Sequence, residues 1–240
     1  MTTLFISDLH LQQERPEITR AFFDFLVRHA NHAHQLYILG DFFEVWVGDD
    51  GITPFHQQII DCLARLSETC EIYFMHGNRD FLIGDHFADL TGITILNDPT
   101  VISLYGTQTL LLHGDSLCTS DQAYMQFRQM VRDPSWQQNF LSKPLAERLA
   151  IAKELRERSR QETAEKEEYI TDVTPQAVTE AMESHGCSLM IHGHTHRPAR
   201  HHVNLDQVSG ERIVLGDWDH NGWYLSADPE SIELQQLFTQ

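Results

Sequence analysis

Short apolar runs alternate with stretches of helical periodicity along most of the chain, a pattern that predicts a layered α/β fold. Leu4-Phe5-Ile6 reads as a buried strand. Residues 16–32 follow as a helix with Ala21, Phe22, Phe25 and Leu26 on one face. Leu36-Tyr37-Ile38-Leu39 is a second strand, and residues 54–67 a helix whose Pro54 suits the first turn. Strands are predicted at 71–75, 101–105 and 109–112, the last two joined by a hairpin at Tyr105-Gly106-Thr107. After Ser188-Leu189-Met190-Ile191 the pattern is strand-rich, with runs at 200–204, 212–215, 223–226 and 232–237.

Residues 119–169 break this rhythm. They read as helix throughout, with little strand propensity and many charges, interrupted only by Pro134 and Pro144. The α/β pattern resumes afterwards, which predicts one domain over 1–240 carrying an inserted helical cap at about 119–169. There are no internal repeats and no low-complexity segments.

A hydrophobic content of 41% fits an ordinary globular protein. No basic leader precedes the first strand, and no apolar run is long enough to span a bilayer, so neither a secretory signal nor a membrane span is expected. The four scattered cysteines (Cys62, Cys70, Cys118 and Cys187) form no Cys-x-x-Cys pair. They read as small buried apolar residues in a reducing compartment, leaving any metal site without thiolates. A formal net charge of −18 argues against nucleic acid as a partner. Yet nine of the 17 Lys and Arg residues lie between Arg128 and Lys166, which predicts an anionic partner for that segment.

Five short segments place metal-competent side chains just after an apolar run: Asp8-Leu9-His10, Gly40-Asp41, Gly77-Asn78-Arg79-Asp80, His113-Gly114-Asp115 and Gly193-His194-Thr195-His196. In open α/β sheets such positions lie beyond the carboxyl ends of strands, where ligands collect. Asp8 and His10, and again His194 and His196, are two apart, so on an extended chain each pair points the same way. Any one segment alone is weak, because a satisfied histidine at a strand end is common. Five in order make metal binding the better reading. By strand alternation His192 points away from the motif and is excluded as a ligand. His29, His32, His34, His56, His76, His86, His185, His201, His202 and His220 are read as structural. Trp46, Asp49 and Asp50, after the second strand, are placed near the cleft without a specific role.

The order Asp-x-His, Gly-Asp, Gly-Asn-x-Asp, Gly-His-x-His resembles the signature of the calcineurin-like metallophosphoesterases. The resemblance implies a two-sheet sandwich flanked by helices and a dinuclear metal centre. It would place Asp8, His10 and His196 on one ion and Asn78, His113 and His194 on the other, with Asp41 bridging. Asp80 and Asp115 would orient histidines or backbone. Nitrogen and oxygen ligands suit manganese, iron or zinc, and the resemblance favours two Mn2+ per chain. Such a pair lowers the pKa of water and neutralises phosphoryl oxygens, with no protein nucleophile required. Asp41, Asn78, Arg79 and His113 would be the catalytic set. Arg79 stands where many relatives carry a histidine. Arginine gives up no proton but clamps phosphate, which favours a leaving group that is itself a phosphate, as in a pyrophosphate.

Over its whole length the chain is similar to the family of UDP-2,3-diacylglucosamine hydrolases of lipid A synthesis. The similarity is carried by Phe5-Ile6-Ser7-Asp8-Leu9-His10, Tyr37 to Glu44, Trp46 to Asp50, His76 to Leu82, Leu112 to Thr119 and Ile191 to Pro198. It implies water attack on the α-phosphorus, giving UMP and 2,3-diacylglucosamine 1-phosphate. Substrate contacts would fall on Asn78, Arg79, Asp121, Ser159, Thr163, Lys166 and His194. Trp136, Phe140, Leu141, Leu145, Leu149 and Leu155 would either wall two acyl chains or form the cap's own core. Lys143, Arg148, Lys153, Arg156, Arg158 and Arg160 would either rest on anionic headgroups or form a solvated face with Glu147, Glu154 and Glu157. The first alternative puts the protein peripherally on the cytoplasmic face of the bacterial inner membrane, with no obligate protein partner.

Overall fold

A computed structural model describes residues 1–164, 170–206 and 208–238. Its first sheet joins β1 (Thr3–Ile6), β2 (Gln35–Ile38), β3 (Glu71–Met75), β4 (Thr94–Leu96), β10 (Asn221–Ala227) and β11 (Ile232–Phe238), in the order β11-β10-β1-β2-β3-β4. The second joins β5 (Thr100–Leu104), β6 (Thr107–Leu111), β7 (Leu189–His192), β8 (Ala199–Asn204) and β9 (Ser209–Val214), in the order β5-β6-β7-β9-β8. The inner strands run parallel, β1 through β4 in one sheet and β6, β7 and β9 in the other. Antiparallel strands close the remaining edges.

The apolar runs are near-continuous because each parallel strand is covered on both faces. Phe5, Tyr37, Leu39, Met75, Leu111, Ile191 and Ile213 point between the sheets. Their neighbours Leu4, Ile6, Leu36, Ile38, Ile72 and Phe74 point outward, into a layer with α1 (Pro16–Arg28), α2 (Pro54–Ser67) and α3 (Asp85–Thr91). On the far side Leu110, Leu112 and Met190 pack beneath α7 (Pro175–Ser184). In α1, Ile18, Phe22, Phe25 and Leu26 are buried at helical spacing, each contributing about 2 kcal/mol by leaving water. The helix ends four residues short of the predicted His32. His29 leaves the helical region at φ −122° and packs its ring against Phe25 and Tyr224, and a 3₁₀ turn at Ala30–His32 follows.

The predicted cap segment holds three helices: α4 (Gln122–Val131), α5 (Pro134–Leu141) and α6 (Leu145–Ala164). The breaks fall at the two prolines, and Asp121 and Asp133 cap α4 and α5 by accepting from the Tyr124 and Trp136 amides. Phe140, Trp136, Leu145, Ile151 and Ala152 join the apolar layer of the main body.

Two expectations for this segment need correction. Arg148, placed in the lipid-facing cluster, is 2% exposed and donates to both carboxylate oxygens of Asp50 and to the Val47 carbonyl. Arg156 likewise turns inward to Glu44. Acidic groups on the body outcompete solvent for these two cations, so Asp50 acquires the role it lacked. Leu141 and Leu149 are 42% and 48% exposed and lie outside the apolar cavity lined by Trp136, Phe140 and Leu155, while Leu145 packs on the body. Arg160 lies in α6, but its side chain is outside the described residues.

Candidate metal centre

The carboxyl ends of the parallel strands from both sheets meet at one edge. Asp8 and His10 follow β1, Asp41 follows β2, Asn78 follows β3, His113 follows β6, and His194 and His196 follow β7. The extended-chain geometry expected for the two histidine-containing triplets does not hold. Asp8, His10, Asp41, His194 and His196 have φ between 49° and 68°, in the left-handed region. Tyr105 is the one other described non-glycine residue there, in the β5–β6 turn. Side-chain-bearing residues avoid this region, so the strain is concentrated where five candidate ligands are aimed.

The side chains converge in two halves. His10 Nε2 and His196 Nε2 face each other at 3.3 Å, and Asp8 Oδ1 lies 3.4 Å from His196 Nε2. Asn78 Oδ1 lies 3.0 Å from His113 Nε2 and 2.9 Å from His194 Nδ1. Asp41 spans the halves, with Oδ2 3.8 Å from His10 Nε2 and Oδ1 3.7 Å from His113 Nε2. Asp8 Oδ1 is buried and accepts no hydrogen bond. A buried carboxylate oxygen and opposed imidazole nitrogens form a donor set that suits divalent cations. The ligand atoms of Asp8, His10 and His196, and those of Asp8, Asp41 and His113, fall within 4.8 Å of one another.

Outer contacts aim these rings. His113 Nδ1 donates to the Leu39 carbonyl at 2.8 Å, turning Nε2 toward the site. His10 Nδ1 lies 2.9 Å from Glu44 Oε2, and His196 Nδ1 3.3 Å from Asp217 Oδ2. Asp80 accepts from the Gly77 and Phe42 amides and so joins two ligand loops, a backbone role as expected. Asp115 differs: it accepts from Tyr124 Oη and Arg128 Nε, tying α4 to the site instead of orienting a histidine. His192 faces away, donating to the Gly193 carbonyl while Arg212 donates to its Nε2.

Burial by itself would push the His113 and His196 imidazoles down. Nearby carboxylates outweigh it, lifting His113 to about 9 through Asp41, Asp8 and Asp115, and His196 to about 10 through Asp217 and Asp8. Burial and the His113 charge push His194 down to about 4. Asp8 is held well below the carboxylate range, because its neighbouring histidines outweigh its burial. Ligation needs neutral rings, so a metal must displace the His113 and His196 protons. Titrating metal into metal-free protein at about pH 8 should release about two protons per chain, read by calorimetry in buffers of different ionisation enthalpy. Apparent affinity should therefore climb as pH rises toward about 10 and weaken in acid. Release of no protons would mean that these rings do not take the metal.

Arg79 and Glu44 line both an open polar cleft shared with Asp8, His10, His196 and Asp217 and an apolar cavity shared with Asn78. That cavity is walled by Phe81, Tyr124, Phe127, Trp136, Phe140 and Leu155, with Ser159 at its edge. Of the predicted acyl wall, it takes Trp136, Phe140 and Leu155. Asp121 serves as the cap of α4. Thr163 lies in α6 with its side chain outside the described residues, and Lys166 lies outside them altogether. Asp49 accepts from Trp46 Nε1 and from the Gly84 and Phe87 amides, a structural role. Sequence reasoning missed Glu44, Asp217 and Tyr124. Asp217 carried a readable signal: Leu215-Gly216-Asp217 repeats the strand-then-Gly-Asp pattern of Leu39-Gly40-Asp41.

Residues 1–198 match the calcineurin-like phosphoesterase family. The chain belongs to that family. Within it, the chain is 52% identical over 236 residues to the UDP-2,3-diacylglucosamine hydrolase of Cellvibrio japonicus, covering 98% of each. It is 53% identical to the protein of the same name from Marinobacter nauticus, over 95% of this chain and 93% of that one. The Pseudomonas aeruginosa protein of that name is 52% identical over 95% of each. Membership in the calcineurin-like phosphoesterases fits the two-sheet fold and implies divalent metals, for which the clustered donors are suited.

Proposed function

We propose that this chain hydrolyses the pyrophosphate bond of UDP-2,3-diacylglucosamine in lipid A biosynthesis. Water attacks the α-phosphorus, the bond to the bridging oxygen breaks, and 2,3-diacylglucosamine 1-phosphate leaves UMP behind. The observation that carries this reading is the apolar cavity opening on Asn78 and Arg79 beside the metal-competent cluster. An apolar wall next to Arg79 suits a substrate that joins a lipid to a phosphate, in agreement with the name borne by its 52%-identical relatives. Asp8, His10 and His196 would hold one ion, Asn78, His113 and His194 the other, with Asp41 shared between them, and Mn2+ is the ion proposed. Bound there, the ions would lower the pKa of water and neutralise phosphoryl oxygens. Arg79 clamps the phosphate that departs, which needs no proton at neutral pH. Asp121, Ser159, Thr163, Lys166 and His194 complete the substrate contacts.

The test is product analysis by mass spectrometry in isotopically labelled water with the Mn2+-loaded protein. Label in UMP is expected. Label confined to the sugar phosphate would move the attack to the β-phosphorus, and turnover of small phosphoesters alone would overturn the lipid assignment.

The same reading places the protein peripherally on the cytoplasmic face of the inner membrane. Its support is the exposed Leu149 one helical turn from Lys153 on α6; Arg148 and Arg156, turned inward, do not contribute. Among the described residues no helix is long and apolar enough to cross a membrane. Flotation with anionic vesicles should carry the protein upward, and loss of that binding is expected for Leu149→Asp.

A further inference from the structure

Glu44 stands where the metal centre and the cap meet. Its backbone amide donates to the Leu11 carbonyl at 3.1 Å, and His10 and Leu11 donate in turn to Asp41 and Phe42, so the loops after β1 and β2 are knitted together. The Glu44 side chain is 9% exposed. Its Oε2 lies 2.9 Å from His10 Nδ1, and its Oε1 accepts from Arg156 of α6. One carboxylate therefore touches a candidate ligand with one oxygen and the cap helix with the other. Asp217, the matching carboxylate behind His196, has no such link: its contact is on the main body, and α6 does not reach it among the described residues.

We propose that Glu44 is a positioning residue that couples metal binding at the Asp8, His10 and His196 half to the seating of helix α6. It does so by fixing the His10 ring with Nε2 toward the metal while holding Arg156. The inference rests on the metal assignment proposed above and goes beyond it. A carboxylate behind a ligand histidine raises its basicity and fixes its orientation, and losing one weakens metal affinity by about 10–100-fold. Because linkage is reciprocal, whatever seats α6 must favour the metal, and the metal must favour a seated α6. Arg148 holds α6 independently at Asp50, so the helix stays attached when Arg156 lets go and its response to metal is read separately.

Two measurements on the full chain test the coupling: Mn2+ affinity from the electron paramagnetic resonance of free Mn2+, and amide hydrogen exchange along α6 with and without saturating Mn2+. In the wild type, Mn2+ should slow exchange in α6. Glu44→Gln should lose about 10–100-fold in affinity for the first ion, and α6 should no longer respond even at saturation. Arg156→Met should reduce the α6 response with a smaller loss of affinity, and it keeps the test available if Glu44→Gln folds poorly. Asp217→Asn should weaken Mn2+ binding through His196 yet leave the α6 response at saturation intact. Wild-type affinity in Glu44→Gln, or an α6 response that survives both Glu44→Gln and Arg156→Met, overturns the coupling while leaving the metal assignment standing. Wild-type protein that binds no Mn2+ overturns both.

Discussion

Asp41→Asn should abolish turnover, by more than about 10³-fold in kcat, while the metal-free protein melts at nearly the wild-type temperature. Asp41 sends one oxygen toward His10 and the other toward His113, so its carboxylate lies between the two halves of the site. An amide keeps the shape but removes the charge that offsets two cations. Stability should survive for a different reason. Asp80 is completely buried, and burial, with the Asp41 charge added, pushes its carboxyl up to about 6. A raised carboxyl pKa penalises the ionised form above that pH, so neutralising Asp41 relieves part of a repulsion present at pH 7, which offsets the lost attraction between Asp41 and the His113 imidazolium. The wild type should gain thermal stability on adding Mn2+, and Asp41→Asn should gain much less. Calorimetry with and without metal separates the cases. A variant that melts far below wild type without metal would show that Asp41 serves the fold first.

How much of this was legible beforehand follows from which forces act locally. The inner strands β1, β2 and β7 could be read because both of their faces are buried, which writes an uninterrupted apolar run into the sequence. The cap helices could be read because Pro134 and Pro144 break a charged stretch with little strand propensity. By contrast α3, seven residues long, went unread because its N-terminal amides are satisfied by Asp49, thirty-odd residues upstream. The short β4 and the helix α7 went unread as well; three paired residues carry little periodicity, whereas the Ala177, Val178, Ala181 and Met182 face of α7, behind Pro175, was there to be read.

In the site, the metal-competent residues were visible as motifs, but the way the backbone presents them was not. Left-handed φ at Asp8, His10 and Asp41 is imposed by hydrogen bonds between loops, such as Asp8 N to Gly40 O, which join segments far apart in the chain. Arg148 and Arg156 show the same limit. Their charges read as a solvated or lipid-facing pattern until the fold brings Asp50 and Glu44 against them across the cap boundary.

Gly77→Ala should be among the most damaging single-methyl changes in the chain, because Gly77 meets Asp41 with no room for a side chain. A Cβ there would lie 2.2 Å from both the Asp41 amide nitrogen and Asp41 Oδ1. Neither loop can easily give way. The Gly77 amide donates to Asp80 at 2.8 Å, and its carbonyl accepts from Arg132 of the cap at 2.8 Å. The overlap should cost ~3 kcal/mol, or roughly 10 °C in Tm for a chain of this length. It must also push the Asp41 carboxylate off its position between the two halves, and a displacement near 1 Å costs about 10²-fold in kcat. Gly106→Ala is the control. Gly106 sits in the β5–β6 turn with φ +92° and nothing within 4 Å of its added carbon, so it costs only the backbone strain, about 1 kcal/mol, with activity unchanged. Melting curves and Mn2+-dependent rates for the two variants tell crowding at the metal site from strain in a turn. Equal effects on both measurements would mean that the close approach of Gly77 to Asp41 places nothing of consequence.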